Sequence, residues 1–276
     1  MRHIGLKVRM AIVGSILFLF YGVAAVVAMA VFGTGIWPLL IIGTIVLMVF
    51  QYKVGKWAAL RSVGAEDLSK EKYPEIHQRV ESLSNDMGIK KPTLKIARMG
   101  VPNAFAVGRK GNGTVVVSRE LLDMLSKDEV EGVLAHELAH IQNRDVVMMV
   151  LGQGIASIVA IVAQYVVLLT GDNDIADFFL AIVVGQIVQM IVMVFVLAIS
   201  RYREYVADSD AKEYIGTGEP LASALEKIQR GNQRSQNSEI DENVNALCIF
   251  GQERGIIGKL LSSHPPTEKR IERLRR

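Results

Sequence analysis

Cysteine is almost absent. Cys248 is the only one in 276 residues, which excludes an intrachain disulfide and a zinc cluster built from several thiolates. Histidine is scarce as well, with five copies, so two of them at a functional spacing stand out. There is no internal repeat and no nucleic-acid-binding signature, so nucleic acid is not an expected partner. Charge itself is missing from four long stretches. Met10–Phe32, Ile36–Tyr52, Val146–Thr170 and Phe178–Ser200 contain no Asp, Glu, Lys or Arg. Half of all residues are hydrophobic and the mean hydropathy is +0.30, too apolar for an ordinary soluble domain.

A bilayer-spanning helix needs ~20 apolar residues, within a range of about 17–25. All four stretches qualify, the second only marginally. Gly33-Thr34-Gly35 and Pro38 break the first pair into a tight helical hairpin. Arg2, Lys7 and Arg9 followed by Ala28-Met29-Ala30 have the outline of a signal peptide. The apolar run exceeds the usual ~7–15 residues and a second span follows at once, which favours a retained span. Lys and Arg lie on one side of all four spans: Arg2, Lys7, Arg9, Lys53, Lys56, Arg61, Arg144, Arg201 and Arg203. The opposite loops are uncharged or hold only Asp172, Asp174 and Asp177. Both termini and segment 53–145 are therefore expected on the cytoplasmic side of the cell membrane. Gln153, Gln164, Gln186 and Gln189 within the last two spans are expected to pair across helices. Gly231–Asn243, rich in Asn, Gln and Ser, reads as a mobile loop. The basic tail Lys269, Arg270, Arg273, Arg275 and Arg276 could touch anionic headgroups or form a solvated helix face.

What is present is sharper. His136-Glu137-Leu138-Ala139-His140 spells H-E-x-x-H, the helix-borne zinc site of many metalloproteases. Two His four residues apart share one helix face, so both imidazoles can reach one Zn²⁺ at ~2.0–2.1 Å. Glu137 projects to the same edge, close enough to handle the proton of an attacking water. Ser126 and Glu129 have capping-box spacing, and Asp128, Glu129 and Glu131 suit the positive end of a helix. Val130, Val133, Leu134, Leu138 and Ile141 recur as an apolar stripe. The two His lie off its centre, which puts a metal at the border of core and solvent.

Catalytic zinc usually takes three protein ligands plus water, so one more is required. The candidates are Asp145, Glu204, Asp208, His264, His77 and His3. On a continuous helix Asp145 would be turned away from His140 by nearly half a turn. His3 and His77 read as ordinary surface residues. Glu204 and Asp208, four apart directly after the last span, share a helix face. Glu204 could ligate while Asp208 hydrogen-bonds a ligand imidazole. Upstream, Thr93–Ala97, Ala104–Gly108 and Thr114–Val117 are short β-type runs that suggest a small antiparallel sheet. An exposed edge of it could bind an extended peptide.

Four segments, in order, resemble the HtpX-type membrane zinc endopeptidases and, more distantly, the CaaX prenyl proteases. They are Asn103-Ala104-Phe105-Ala106; the H-E-x-x-H helix with Asn143-Arg144-Asp145; Arg203-Glu204-Tyr205-Val206-Ala207-Asp208; and Ser263-His264-Pro265-Pro266-Thr267 with Arg270. The resemblance implies one Zn²⁺ per chain held by His136, His140 and Glu204, with Glu137 as general base. It implies His264 near the metal, where an imidazole could stabilise an oxyanion. It also implies Asn103, Ala104, Phe105 and Ala106 as a substrate-binding edge strand. The implied substrates are misfolded or damaged membrane proteins, cut at cytoplasmic sites in quality control.

The expected architecture is an integral membrane α-helical protein with four transmembrane helices and a cytoplasmic α+β zincin-like domain. Residues 10–52 form one helical hairpin and 146–200 the second. Segment 53–145 holds the sheet and the zinc helix, and 201–276 supplies the third ligand and the His-Pro-Pro segment. Expected partners are polypeptides and the lipid bilayer. A processing protease for lipid-modified CaaX-type peptides is the nearest alternative. A transporter or scaffold with structural zinc is a further one, but such zinc sites close with four ligands and have no use for Glu137.

Overall fold

The computed structural model describes residues 4–33, 35, 37–172, 174–235 and 264–276. These fall into two compact units. The first is built from the chain up to Val54 and from Met148–Ser200, the second from Gly55–Val147 and the described residues from Arg201 onward.

Long helices make the first unit. Helix α1 spans Ile4–Phe32 and α2 spans Trp37–Ser62. Helices α6 (Asp145–Thr170) and α7 (Ile175–Ile215) begin or pass through it. Leu17 and Ala24 of α1, Ala156 and Val159 of α6, and Val192, Val196 and Ile199 of α7 form its buried cluster. Small residues let the helices approach: a Cβ on Gly152 would lie 2.9 Å from Val196 Cγ1. The outward faces stay apolar, with Phe18, Leu19, Val26, Phe179 and Met190 exposed. Water would not tolerate helices apolar on every side, whereas lipid does. Among the described residues three helices are long and apolar enough to cross a membrane, Gly14–Phe32, Asp145–Thr170 and Ile175–Ile215. The fourth expected stretch, Ile36–Tyr52, falls largely in α2 and is not one of these three.

The second unit contains a four-stranded sheet. Strands β1 (Glu66–Asp67), β2 (Thr93–Ala97), β3 (Ala104–Arg109) and β4 (Asn112–Ser118) lie in the order β1-β2-β4-β3. The antiparallel expectation needs correction. β3 and β4 are an antiparallel hairpin, but β2 pairs with β4 in parallel, Thr93 opposite Thr114 through Ala97 opposite Ser118. The run Val115-Val116-Val117 is buried on both faces, and β4 lies in the middle of the sheet with β3 at its edge. The short β1 carried no readable strand signal.

Around the sheet pack α3 (Pro74–Asp86), α4 (Arg119–Met124), α5 (Lys127–Asn143), α8 (Glu219–Ser235) and α9 (Thr267–Arg275). The core joins Val80 and Leu83 of α3, Val115 and Val117 of β4, Val133, Leu134 and Leu138 of α5, and Leu225 and Ile228 of α8. α5 is gripped closely on two sides. A Cβ on Gly132 would lie 2.8 Å from the Leu221 backbone nitrogen, and one on Gly113 2.7 Å from Ile141 Cδ1.

Three further expectations change. α5 and α6 are not one continuous helix: Arg144 adopts the left-handed conformation (φ 59, ψ 38) and ends α5 just before Asp145 starts α6. Gly231–Ser235, expected in a loop, continues α8, where Gly231 sits against Met124 of α4; the rest of that loop lies outside the described residues. The C-terminal cations divide: Arg270 is 1% exposed and leaves the expected solvated face, whereas Lys269, Arg273, Arg275 and Arg276 are exposed, Arg273 stacking over Tyr205 and Arg275 pairing with Glu219 and Glu226.

Candidate metal centre

α5 is fixed at its start before it presents any ligand. Ser126 Oγ accepts from the Glu129 N–H, and the Ser126 N–H donates to the Glu129 carboxylate at 2.8 Å, completing the expected capping box. The same carboxylate accepts from Ser223 Oγ at 2.6 Å and Lys227 Nζ at 2.8 Å, tying α8 to α5. Two turns further on, His136 is 2% and Glu137 3% exposed. The expected border position therefore holds for half-buried His140 but not for His136. His136 is enclosed because α7 and α9 cover that face.

The side chains converge. His136 Nε2 and His140 Nε2 lie 3.0 Å apart. Glu204 Oε1 is 3.3 Å from His140 Nε2 and Glu204 Oε2 is 3.6 Å from His136 Nε2. His136, His140 and Glu204 each offer a ligand atom, all within 4.8 Å of one another. Asp208, one turn along α7 from Glu204, reaches His136 Nδ1 at 3.1 Å. His264, just before α9, has Nδ1 3.1 Å from Glu204 Oε2. Arg270 of α9 donates to both carboxylate oxygens of Asp208, at 2.7 and 2.9 Å, and lies 3.0 Å from Glu204.

Asp145 joins the site, against the expectation from a continuous helix that it turns away. Its carboxylate lies 2.6 Å from His140 Nδ1 and pairs with Arg203, which is 4% exposed. The left-handed residue at Arg144 swings Asp145 back beside His140. The readable signal was Asn143 and Asp145 themselves, types that favour helix ends and starts. His77 is half-buried, with Nε2 2.8 Å from the Leu68 carbonyl oxygen and no place in this cluster. His3 lies outside the described residues.

The donor set suits a divalent cation. Each Nδ1 faces a carboxylate, so each neutral imidazole carries its proton there and turns a lone pair on Nε2 inward. Two such lone pairs 3.0 Å apart beside a carboxylate repel; Arg270 Nη2, 3.3 Å from His136 Nε2, meets one of them, and a metal cation between them would relieve both. The charge count agrees. Buried Glu137, Asp145, Glu204 and Asp208 oppose buried Arg203 and Arg270, leaving an excess of two negative charges. Burial works against ionisation of His136, yet Asp208 and Glu204 hold its pKa above the ordinary value. His140 is raised further, with Glu204 and Asp145 overcoming burial. Glu204 is held well below the usual carboxylate range because His264 and Arg270 outweigh its burial. Asp208 is lowered chiefly by Arg270, again against burial. A field that favours an imidazolium also favours a metal ion in its place.

β3 lies at the sheet edge, and α5 packs against it. Asn103, just before β3, is buried; its N–H donates to Ser118 Oγ at 2.9 Å and its carbonyl accepts from the Ser118 N–H at 2.8 Å. Ala104 and Phe105 are buried and Ala106 is half-buried.

The chain resembles known proteins throughout. The family model described as Peptidase family M48 matches residues 70–276. A Protease HtpX homolog of Halobacterium salinarum is 64% identical, aligned over 96% of this chain and 100% of its own length. One from Pyrococcus abyssi is 39% identical over 77% of this chain and 76% of its own. Among solved structures, Ste24p of S. mikatae matches with a TM-score of 0.63 at 21% identity, covering 97% of this chain and 63% of that protein, a likeness of fold. Apolar helices of membrane-spanning length, a His-His-Glu cluster and these matches lead to one assignment: the chain belongs to peptidase family M48 and is a membrane metalloprotease.

Proposed function

We propose that the protein is a zinc endopeptidase that cuts misfolded or damaged membrane proteins at the cytoplasmic membrane surface. The observation that carries this reading is the convergence of His136, His140 and Glu204, with Glu137 buried one residue from the first ligand. These three would hold the metal. When bound, zinc would supply the Lewis acidity that polarises a scissile carbonyl and acidifies water. Glu137 takes the proton of the attacking water and delivers it to the leaving amine. His264, beside Glu204, steadies the developing oxyanion. Asp208 orients His136, and Arg270 holds Asp208 in place. The edge strand β3, with Asn103 at its start, takes an extended peptide through backbone hydrogen bonds, which suits low sequence selectivity.

In our reading four spans within 10–52 and 146–200 cross the membrane, with 53–145 and 201–276 cytoplasmic. Tyr52 leads directly to Lys53 and Lys56, as at a cytoplasmic flank. The test compares cleavage of an unfolded protein by detergent-purified, zinc-loaded wild type and Glu137→Ala. Cleavage by wild type alone supports the reading. Equal cleavage by both refutes it.

A further inference from the structure

The two candidate ligand imidazoles are held in the same chemical order. Arg270 binds Asp208, and Asp208 faces His136 Nδ1. Arg203 binds Asp145, and Asp145 faces His140 Nδ1. Asp208 in the first chain follows from its four-residue spacing to Glu204; the second chain depends on the break between α5 and α6. We propose that Asp145 and Arg203 are positioning residues for the metal, acting through His140. The proposal rests on His140 being a metal ligand.

Three observations carry it. First, the His140–Asp145 contact of 2.6 Å is short, as expected when a ring N–H meets an ionised carboxylate. It fixes the proton on Nδ1 and leaves the Nε2 lone pair aimed at His136 Nε2 and Glu204. Second, the pair is buried, Asp145 at 8% and Arg203 at 4% exposure, and a buried charge persists only with a close partner. Arg203 lies against the Asp145 carboxylate and so helps to hold it beside His140. Third, the contact exists only because Arg144 leaves the helix. Five residues of continuous helix would turn Asp145 about 140° from His140. A non-glycine residue at φ 59 is uncommon, and here it brings a carboxylate to a ligand. His140 is also the more exposed of the two imidazoles, so its orientation depends more on such a partner.

The experiment measures zinc affinity of the full-length apo-protein in detergent by chelator competition, and the visible absorption of its cobalt form. Wild type, Asp145→Ala, Asp145→Asn, Arg203→Lys, His140→Ala and the double variant Asp145→Asn/Arg203→Met are compared. Asp145→Ala should bind zinc about 10–100-fold more weakly, with an altered cobalt spectrum. Asp145→Asn should lose less, since its amide oxygen still accepts from Nδ1–H. Arg203→Lys, which keeps the charge, should rescue most of the affinity. The double variant leaves neither buried charge unpaired and so guards against a folding artefact; its affinity should stay at the reduced level of Asp145→Asn and not return to that of wild type. Wild-type affinity and spectrum in Asp145→Ala, with zinc lost in His140→Ala, would overturn the relay alone. Full affinity in the double variant would overturn it too, by showing that the pair serves only stability. Unchanged affinity in His140→Ala would remove the ligand reading beneath it.

Discussion

Replacing Arg270 with Met tests how the buried charges balance. The guanidinium is 1% exposed and meets Asp208 through two nitrogens and Glu204 through a third, at 2.7–3.0 Å. Met keeps most of the volume and removes the charge. In the metal-free protein Glu204 and Asp208 are then buried close together with less cation than they need. Breaking a buried pair by removing one partner destabilises by roughly 3–5 kcal/mol. For a unit of this size, 1 kcal/mol corresponds to about 2–4 °C, so the apo midpoint should fall by about 10 °C. Zinc supplies Glu204 with a cation again, so the loaded variant should lose roughly half as much, Asp208 alone being left unpaired. Thermal unfolding of detergent-purified wild type and variant, with and without zinc, measures both shifts. An apo midpoint within about 2 °C of wild type would refute the charge argument. So would an equal loss with and without metal.

Three other outcomes are expected. His264→Ala should lower kcat by about 10²–10³ while zinc content stays unchanged, as for loss of one oxyanion donor; undiminished turnover removes it from the mechanism. Gly132→Ala should destabilise by about 1–3 kcal/mol, because the new Cβ meets Leu221 backbone atoms that cannot yield; denaturant midpoints measure it. In the metal-free protein, His136 and His140 have raised pKa values, so their contribution is complete below about pH 6.5 and is lost as pH rises through the folded values. Glu204 and Asp208 are depressed, so theirs is present above about pH 4.5 and lost as pH falls through the folded values. Apo stability measured against pH should therefore peak between these limits and decline on the alkaline side, a decline that zinc should abolish.

Much of the site was legible because local rules and tertiary packing agree there. The Ser126–Glu129 box starts α5, the stripe from Val130 to Ile141 is its buried face, and four-residue spacing aligns both the His pair and Glu204 with Asp208. The segments that go astray are those where distant contacts decide. Parallel pairing of β2 with β4 brings together strands separated in sequence by β3, a property of the assembled sheet. Gly231–Ser235 is polar and glycine-led, yet packing of α8 on α4 keeps it helical. Arg270 reads as one more cation in a basic tail; only the carboxylates that α7 brings to it reveal its role. Asp145 was set aside on helical geometry that a single left-handed residue cancels.

The order of the site residues along the chain is also their order of synthesis. His136, Glu137 and His140 emerge first, then the two long apolar helices, then Glu204 and Asp208, and only later His264 and Arg270. A nascent chain can thus possess all three candidate ligand residues while the cation that balances Glu204 and Asp208 is still missing. Ribosome-bound chains halted before His264 should hold zinc poorly and cut nothing, whereas chains extended past Arg276 by a linker that clears the exit tunnel should hold zinc and cut. A protease assembled in this sequence stays inert toward its own unfolded segments until the fold around them is in place.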